Sequence, residues 1–186
     1  MTTNFAQLLQ IAVPGDADGP PPVRPDDEDR WVEVLGKLHR DGDATDRWAW
    51  LAAGFLLATT SARLRDAAAL ALADMGAREA ARSIVEVLRR PEIAKRSGTL
   101  LYALGELGLP VPLDVLVGLI ENGSYEGRAM SLLAFEDGRV EWSGAAELED
   151  GRRRLTRRAG DESDAEGAEA ARLALEHLDD QPVAAA

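Results

Sequence analysis

Five arginines stand within seven residues at RRRLTRR: Arg152, Arg153, Arg154, Arg157 and Arg158. Guanidinium groups bind carboxylates and phosphates through paired, charge-assisted hydrogen bonds, so the chemistry open to this cluster is anion recognition. The flanking sequence supplies anions of its own. Residues 144–160 carry a net +2 and residues 161–186 a net −7. Two readings follow. The arginines pair with Glu147, Glu149 and Asp150 or with the acids of 161–166, or they form an exposed patch for an acidic partner or a phosphate.

Other reactive patterns are sparse. The chain has no cysteine, hence no disulfide and no thiolate nucleophile or metal ligand. Its two histidines, His39 and His177, are far apart in sequence. Leu104–Gly108, LGELG, holds two glycines, but no lysine follows and no strand precedes, so it is no phosphate loop. Gly105 reads instead as a close helix–helix contact. No Gly-x-Ser-x-Gly and no paired-histidine motif occurs. Carboxylates are so numerous that an acid–base dyad can be picked out by choice alone. The expectation is no catalysis, no cofactor and no metal.

The net charge of −12 repels polyanions and disfavours a general nucleic-acid binder. The N-terminus, MTTNFAQLLQ, lacks the basic and apolar regions of a signal peptide. No apolar run approaches the length of a membrane span. A cytoplasmic protein without membrane contact is expected.

The elements that position these residues repeat. Arg65–Gly76 is RDAAALALADMG, Ser97–Gly108 is SGTLLYALGELG, and Gly127–Gly138 is GRAMSLLAFEDG. Leu72 aligns with Leu104 and Gly76 with Gly108, a step of 32. A second apolar set, Ile84, Val85 and Leu88, recurs 32 residues later as Leu116, Val117 and Ile120. A period near 30 built from two amphipathic helices is the signature of stacked helical pairs. Four first helices are expected to end at Gly42, Gly76, Gly108 and Gly138, each glycine supplying a left-handed terminator.

Around this core the chain divides as follows. Residues 1–13 form a short amphipathic helix with Phe5, Leu8, Leu9 and Ala12 on one face. Residues 14–29 form an acidic, proline-rich disordered linker. Residues 30–143 form the repeat domain, and residues 144–180 a degenerate cap with a last helix. Residues 181–186 are tail. Within the repeats, helices are expected over 30–41, 46–58, 61–75, 77–90, 92–107, 113–121 and 124–135. Ser61 caps one of them, and Pro91 stops another. The second helix of the fourth pair should bear apolar residues at 146, 147 and 150 but finds Ala146, Glu147 and Asp150. Residues 139–143 can be extended. Ser163 and Glu166 form a capping box for the last helix.

Because the repeat fixes the core positions of each second helix, the opposite stripe can be read off. It is Arg82, Glu86 and Arg89 in the second pair, Asp114, Gly118 and Glu121 in the third, and Trp48, Ala52 and Phe55 in the first. An exposed Trp48 and Phe55 beside arginines have the composition of an interface hot spot. In the alternative reading Arg82 pairs with Asp114 and Arg89 with Glu121, and the aromatics are covered by the N-terminal helix.

The pattern carried by Arg65, Ala67, Ala68, Leu70, Leu72 and Gly76 resembles HEAT repeats, in the short form also found in phycobilin lyases. The middle unit departs from it with Ser97 and Gly98 at the arginine–aspartate positions. The resemblance covers about residues 30–140. It implies an all-α fold, an α-solenoid of about four helical hairpins in a right-handed superhelix, with second helices lining a concave binding face. Most members are adaptors or scaffolds, which implies a non-catalytic interaction module that binds another protein, alone as a monomer or as a subunit of a hetero-complex. HEAT-like alkylpurine DNA glycosylases and bilin lyases or chaperones are the alternative. The glycosylases need a basic concave surface, whereas residues 31–143 hold sixteen acids against thirteen bases.

Overall fold

The structure is a computed structural model that describes residues 28–37 and 45–180, apart from the side chains of residues 45–48, 50, 58 and 80. The N-terminal helix of residues 1–13, the linker up to residue 27, Leu38, His39, Gly42 and the tail of residues 181–186 lie outside the described residues. The described chain is mostly α-helical. It divides into two compact units, one up to Val87 and one from Leu88.

In the first unit α1 spans Glu28–Leu35, α2 Thr45–Ala58 and α3 Ala62–Asp74. The acids Glu28 and Asp29 fill the first turn of α1, where they favour the helix dipole. Ser61 caps α3, its hydroxyl accepting the Leu64 N–H at 3.2 Å. Both α1 and α2 pack on α3. Trp31 of α1 meets Phe55 of α2 with ring centroids 4.5 Å apart and planes tilted by 56°. The span expected as one helix over 77–90 is a 3-10 turn at Arg78–Ala81 followed by α4, Arg82–Leu88.

In the second unit the expected 92–107 helix is also divided. A 3-10 turn covers Pro91–Arg96, and α5 runs Gly98–Glu106. Then come α6, Leu113–Asn122; α7, Tyr125–Glu136; α8, Ala145–Ala159; and α9, Ala165–Asp180. Helix α7 packs on α5 and α9, α6 packs on α8, and α9 packs on α8 as well. The α5–α7 contact is close because its residues are small. A Cβ on Gly127 would lie 2.5 Å from the Ser97 hydroxyl oxygen. That accounts for a small residue, Ser97, where the second pair has Arg65.

Three first helices end alike. Gly76, Gly108 and Gly138 have φ of 64°, 61° and 65°. In each, the residue after the glycine donates its N–H back five residues: Ala77 to Leu72 O (2.9 Å), Leu109 to Leu104 O (3.2 Å) and Arg139 to Ala134 O (2.9 Å). This is the Schellman terminator, and it recurs at the predicted spacing. The loops beyond the last two glycines also pair. Strand β1, Val111–Pro112, lies parallel to β2, Val140–Glu141, with Val111 opposite Val140. Successive loops therefore run in the same direction and in register.

Three sequence expectations need correction here. Helix α8 buries Leu148, Gly151 and Leu155, not positions 146, 147 and 150. The cause is loop length: α6 begins five residues after Gly108, whereas α8 begins seven after Gly138. The cap of α9 is Asp164, whose carboxylate accepts the Gly167 N–H at 2.9 Å, while the Ser163 hydroxyl bonds to Asp161 instead. The Gly105 position faces the Arg139 guanidinium, whose Nη2 is 3.4 Å from where a Cβ would stand, and not a neighbouring helix.

Candidate binding cleft

Helix α6 presents almost every apolar side chain inward: Leu113, Val115, Leu116, Val117, Leu119 and Ile120 are buried. The face left over is Asp114, exposed, with Gly118 and Glu121, half-buried. This is the stripe predicted from the repeat. Opposite it the chain leaves α4 through Arg89 and Arg90. Pro91 forces the turn, because the residue before a proline is excluded from helical backbone, and Arg90 is accordingly extended at φ −78°, ψ 126°. The 3-10 turn that follows is pinned by Ile93 and Ala94, both buried. Arg89, Glu92, Lys95 and Arg96 remain exposed.

Between this strap and α6 lies a cleft of ≈ 660 Å³. Leu88, Ala94, Val115 and Leu119 give it an apolar floor, and Arg89, Lys95, Asp114 and Arg154 reach its edges. Gly118 opens onto it: the sole neighbour a Cβ would find there is Arg154 Nη2, at 3.9 Å. A second hollow of ≈ 390 Å³ is lined by Pro112, Glu141, Trp142, Ser143 and Glu147. Arg89 lines both.

Ion pairs organise the edges. Arg89 donates to the two carboxylate oxygens of Asp114 from Nε (3.3 Å) and Nη2 (3.4 Å). Arg154 makes a fork onto Glu121, with Nη2–Oε2 at 2.6 Å and Nε–Oε1 at 3.3 Å, and Arg157 adds a third bond at 3.3 Å. Burial pushes the Glu121 carboxyl up, but hydrogen bonds and charge from Arg154, then Arg157, outweigh it, so the group sits below its ordinary value. The pairing of Arg89 with Glu121 and Arg82 with Asp114 read from the sequence thus gives way to Arg89 with Asp114 and Glu121 with the cluster.

No family model matches this chain. No curated protein or solved structure matches it either.

The arginine cluster lies on α8, and each of its members has a carboxylate. Arg152 meets Asp179 at 2.8 Å, Arg153 meets Asp150, and Arg158 meets Asp161 at 2.5 Å and also Asp164. Two of the partners, Glu121 and Asp179, lie outside the acids that the sequence suggested. Asp164 additionally takes the two guanidinium nitrogens of Arg128, at 3.3 and 2.7 Å. The cluster is therefore wired into α6, α7 and α9 through its acids.

The apolar end of the predicted stripe is corrected. Phe55 is fully buried, and so are Ala52 and their neighbours Leu51, Ala53 and Leu56. The Ala52–Phe55 side of α2 therefore faces the core, and Leu57 is on the exposed side. Trp31 covers Phe55. Trp48 lies on α2, with its side chain outside the described residues. Arg82 and Glu86 are exposed on α4. Sequence reasoning missed the strap RRPEIAKR, residues 89–96, which holds four bases and one acid in a chain of net charge −12. Its signal was that run of bases, of which only Arg89 was singled out.

Among the described residues no three His, Cys, Asp or Glu side chains are grouped to hold a metal ion, and no helix is long and apolar enough to cross a membrane.

Proposed function

We propose that this chain is a non-catalytic interaction module of the HEAT-like kind, an adaptor, scaffold or regulatory subunit that takes another protein on its second-helix surface. The observation that carries the reading is the place of the larger cleft. It opens on Asp114 and Gly118, positions that the repeat leaves outside the core, and its floor is apolar. The in-register loops of β1 and β2 and the recurring terminators support a stack of like helical pairs in the second unit. A surface of this kind binds by shape, with an apolar centre and a charged rim.

Gly118→Trp tests it. A Cβ there meets only Arg154 Nη2, at 3.9 Å, and replacing a mid-helix glycine recovers part of its helix penalty of about 0.5–1 kcal/mol relative to alanine. The variant is expected to melt no earlier than wild type and to lose a protein that wild type retains from extracts of its native host. A folded variant that keeps every retained protein contradicts the reading.

A further inference from the structure

We infer that the larger cleft of the second unit takes an acidic, extended segment of a partner protein, with an apolar side chain seated between the strap and α6. The inference rests on the interaction-module reading and names the partner's chemistry.

Charge is the first argument. Among the charged residues that line the cleft, Arg89, Arg90, Lys95 and Arg154 stand against Glu92 and Asp114, a surplus of two positive charges in the lining of a chain of net −12. A local positive field selects anionic ligands, while the net charge of −12 disfavours association with a second copy.

The second argument is the state of the pairs. The Arg89 and Asp114 side chains are 49% and 46% exposed. An ion pair so open to water is worth little, so an incoming carboxylate can replace Asp114 on Arg89 at small cost. Glu121 is 15% exposed and held by two arginines, so Arg154 stays fixed as a positive charge at the cleft edge. The third argument is the floor: Leu88, Ala94, Val115 and Leu119 are buried hydrophobic residues that reach the cleft surface. They favour an aliphatic side chain flanked by carboxylates over a bare anion.

The experiment uses the full chain and two fluorescein-labelled peptides, one of glutamates around a central leucine and one with lysine in place of glutamate. Fluorescence anisotropy is followed with rising salt, and circular dichroism monitors the fold of each variant. Wild type is expected to bind the glutamate peptide alone, less tightly as salt rises, since the screening length shrinks. Lys95→Glu, on an exposed side chain, is expected to weaken binding about tenfold, and Arg89→Glu with Lys95→Glu further. Gly118→Trp removes it, and Arg172→Glu on α9 leaves it unchanged. Equal binding of the lysine peptide, or undiminished binding of the glutamate peptide by folded Lys95→Glu, overturns the inference. Sedimentation showing a dimer that Lys95→Glu dissociates also overturns it and assigns the cleft to a second copy. If the glutamate peptide fails while Gly118→Trp still loses a host protein, the acidic segment falls and the interaction module stands. If both fail, both fall.

Discussion

Gly108 shows how one residue type can fix an element. Its φ of 61° is a backbone region that an L side chain enters at about 1–2 kcal/mol. No atom lies within 4 Å of where its Cβ would stand. Gly108→Ala is therefore expected to cost about 1–2 kcal/mol from backbone strain alone, read by urea unfolding. An unchanged midpoint would mean that the terminator is not held in the folded state. Asp164 is the opposite case, a residue whose role sequence did not reveal. The Gly167 N–H, then the Arg128 and Arg158 guanidiniums, hold its carboxyl far below the usual range. A depressed folded pKa contributes stability above the unfolded value of about 4, and that contribution is lost as pH falls toward the folded one. Asp164→Asn keeps a good cap but not the charge. Its melting temperature is expected to fall below wild type near neutral pH, with the gap narrowing in acid below about pH 4. A gap of constant size would show that the charge plays no part. Ser163 and Glu166 matched a capping box, yet Asp164 lies one residue on and can cap while reaching two arginines. Local pattern alone does not contain those distant arginines.

At the scale of elements, the terminators and the α6 stripe were legible because each depends on residues near in sequence. Glycine spacing set the first, and the apolar period of Leu113–Ile120 set the second. The register of α8 was not legible, since two extra loop residues rotate a helix by more than half a turn relative to its repeat position. The burial of Phe55 was not legible either, because it depends on Trp31, which comes from another helix. Packing between helices offers its own check. Leu104 is 1% exposed, and Leu104→Ala is expected to cost about 2–5 kcal/mol through the cavity it leaves. A Cβ on Gly151 of α8 would lie 2.8 Å from Leu113 Cδ2, on a side chain with no free surface. Gly151→Ala is accordingly expected to destabilise, against the gain in helix propensity that Gly118→Ala should show. Equal gains from both, in thermal melts, would mean that α6 and α8 do not pack as described.

For the molecule as a whole, net charge of −12 and the absence of recognisable reactive motifs pointed away from polyanion binding and catalysis. They did not reveal the excess of bases in the strap, because a sum over the chain hides a local excess. The second unit sets that strap against the α6 stripe. Asn122 is exposed at the cleft edge, which makes it the place to look for a partner directly. A photo-crosslinking amino acid at position 122, irradiated in host extract, is expected to give a discrete adduct with another protein. The same group at Glu169, exposed on α9, is expected to give none of that adduct, and Gly118→Trp is expected to abolish it. No adduct from position 122, or the same adduct from both positions, would contradict the account.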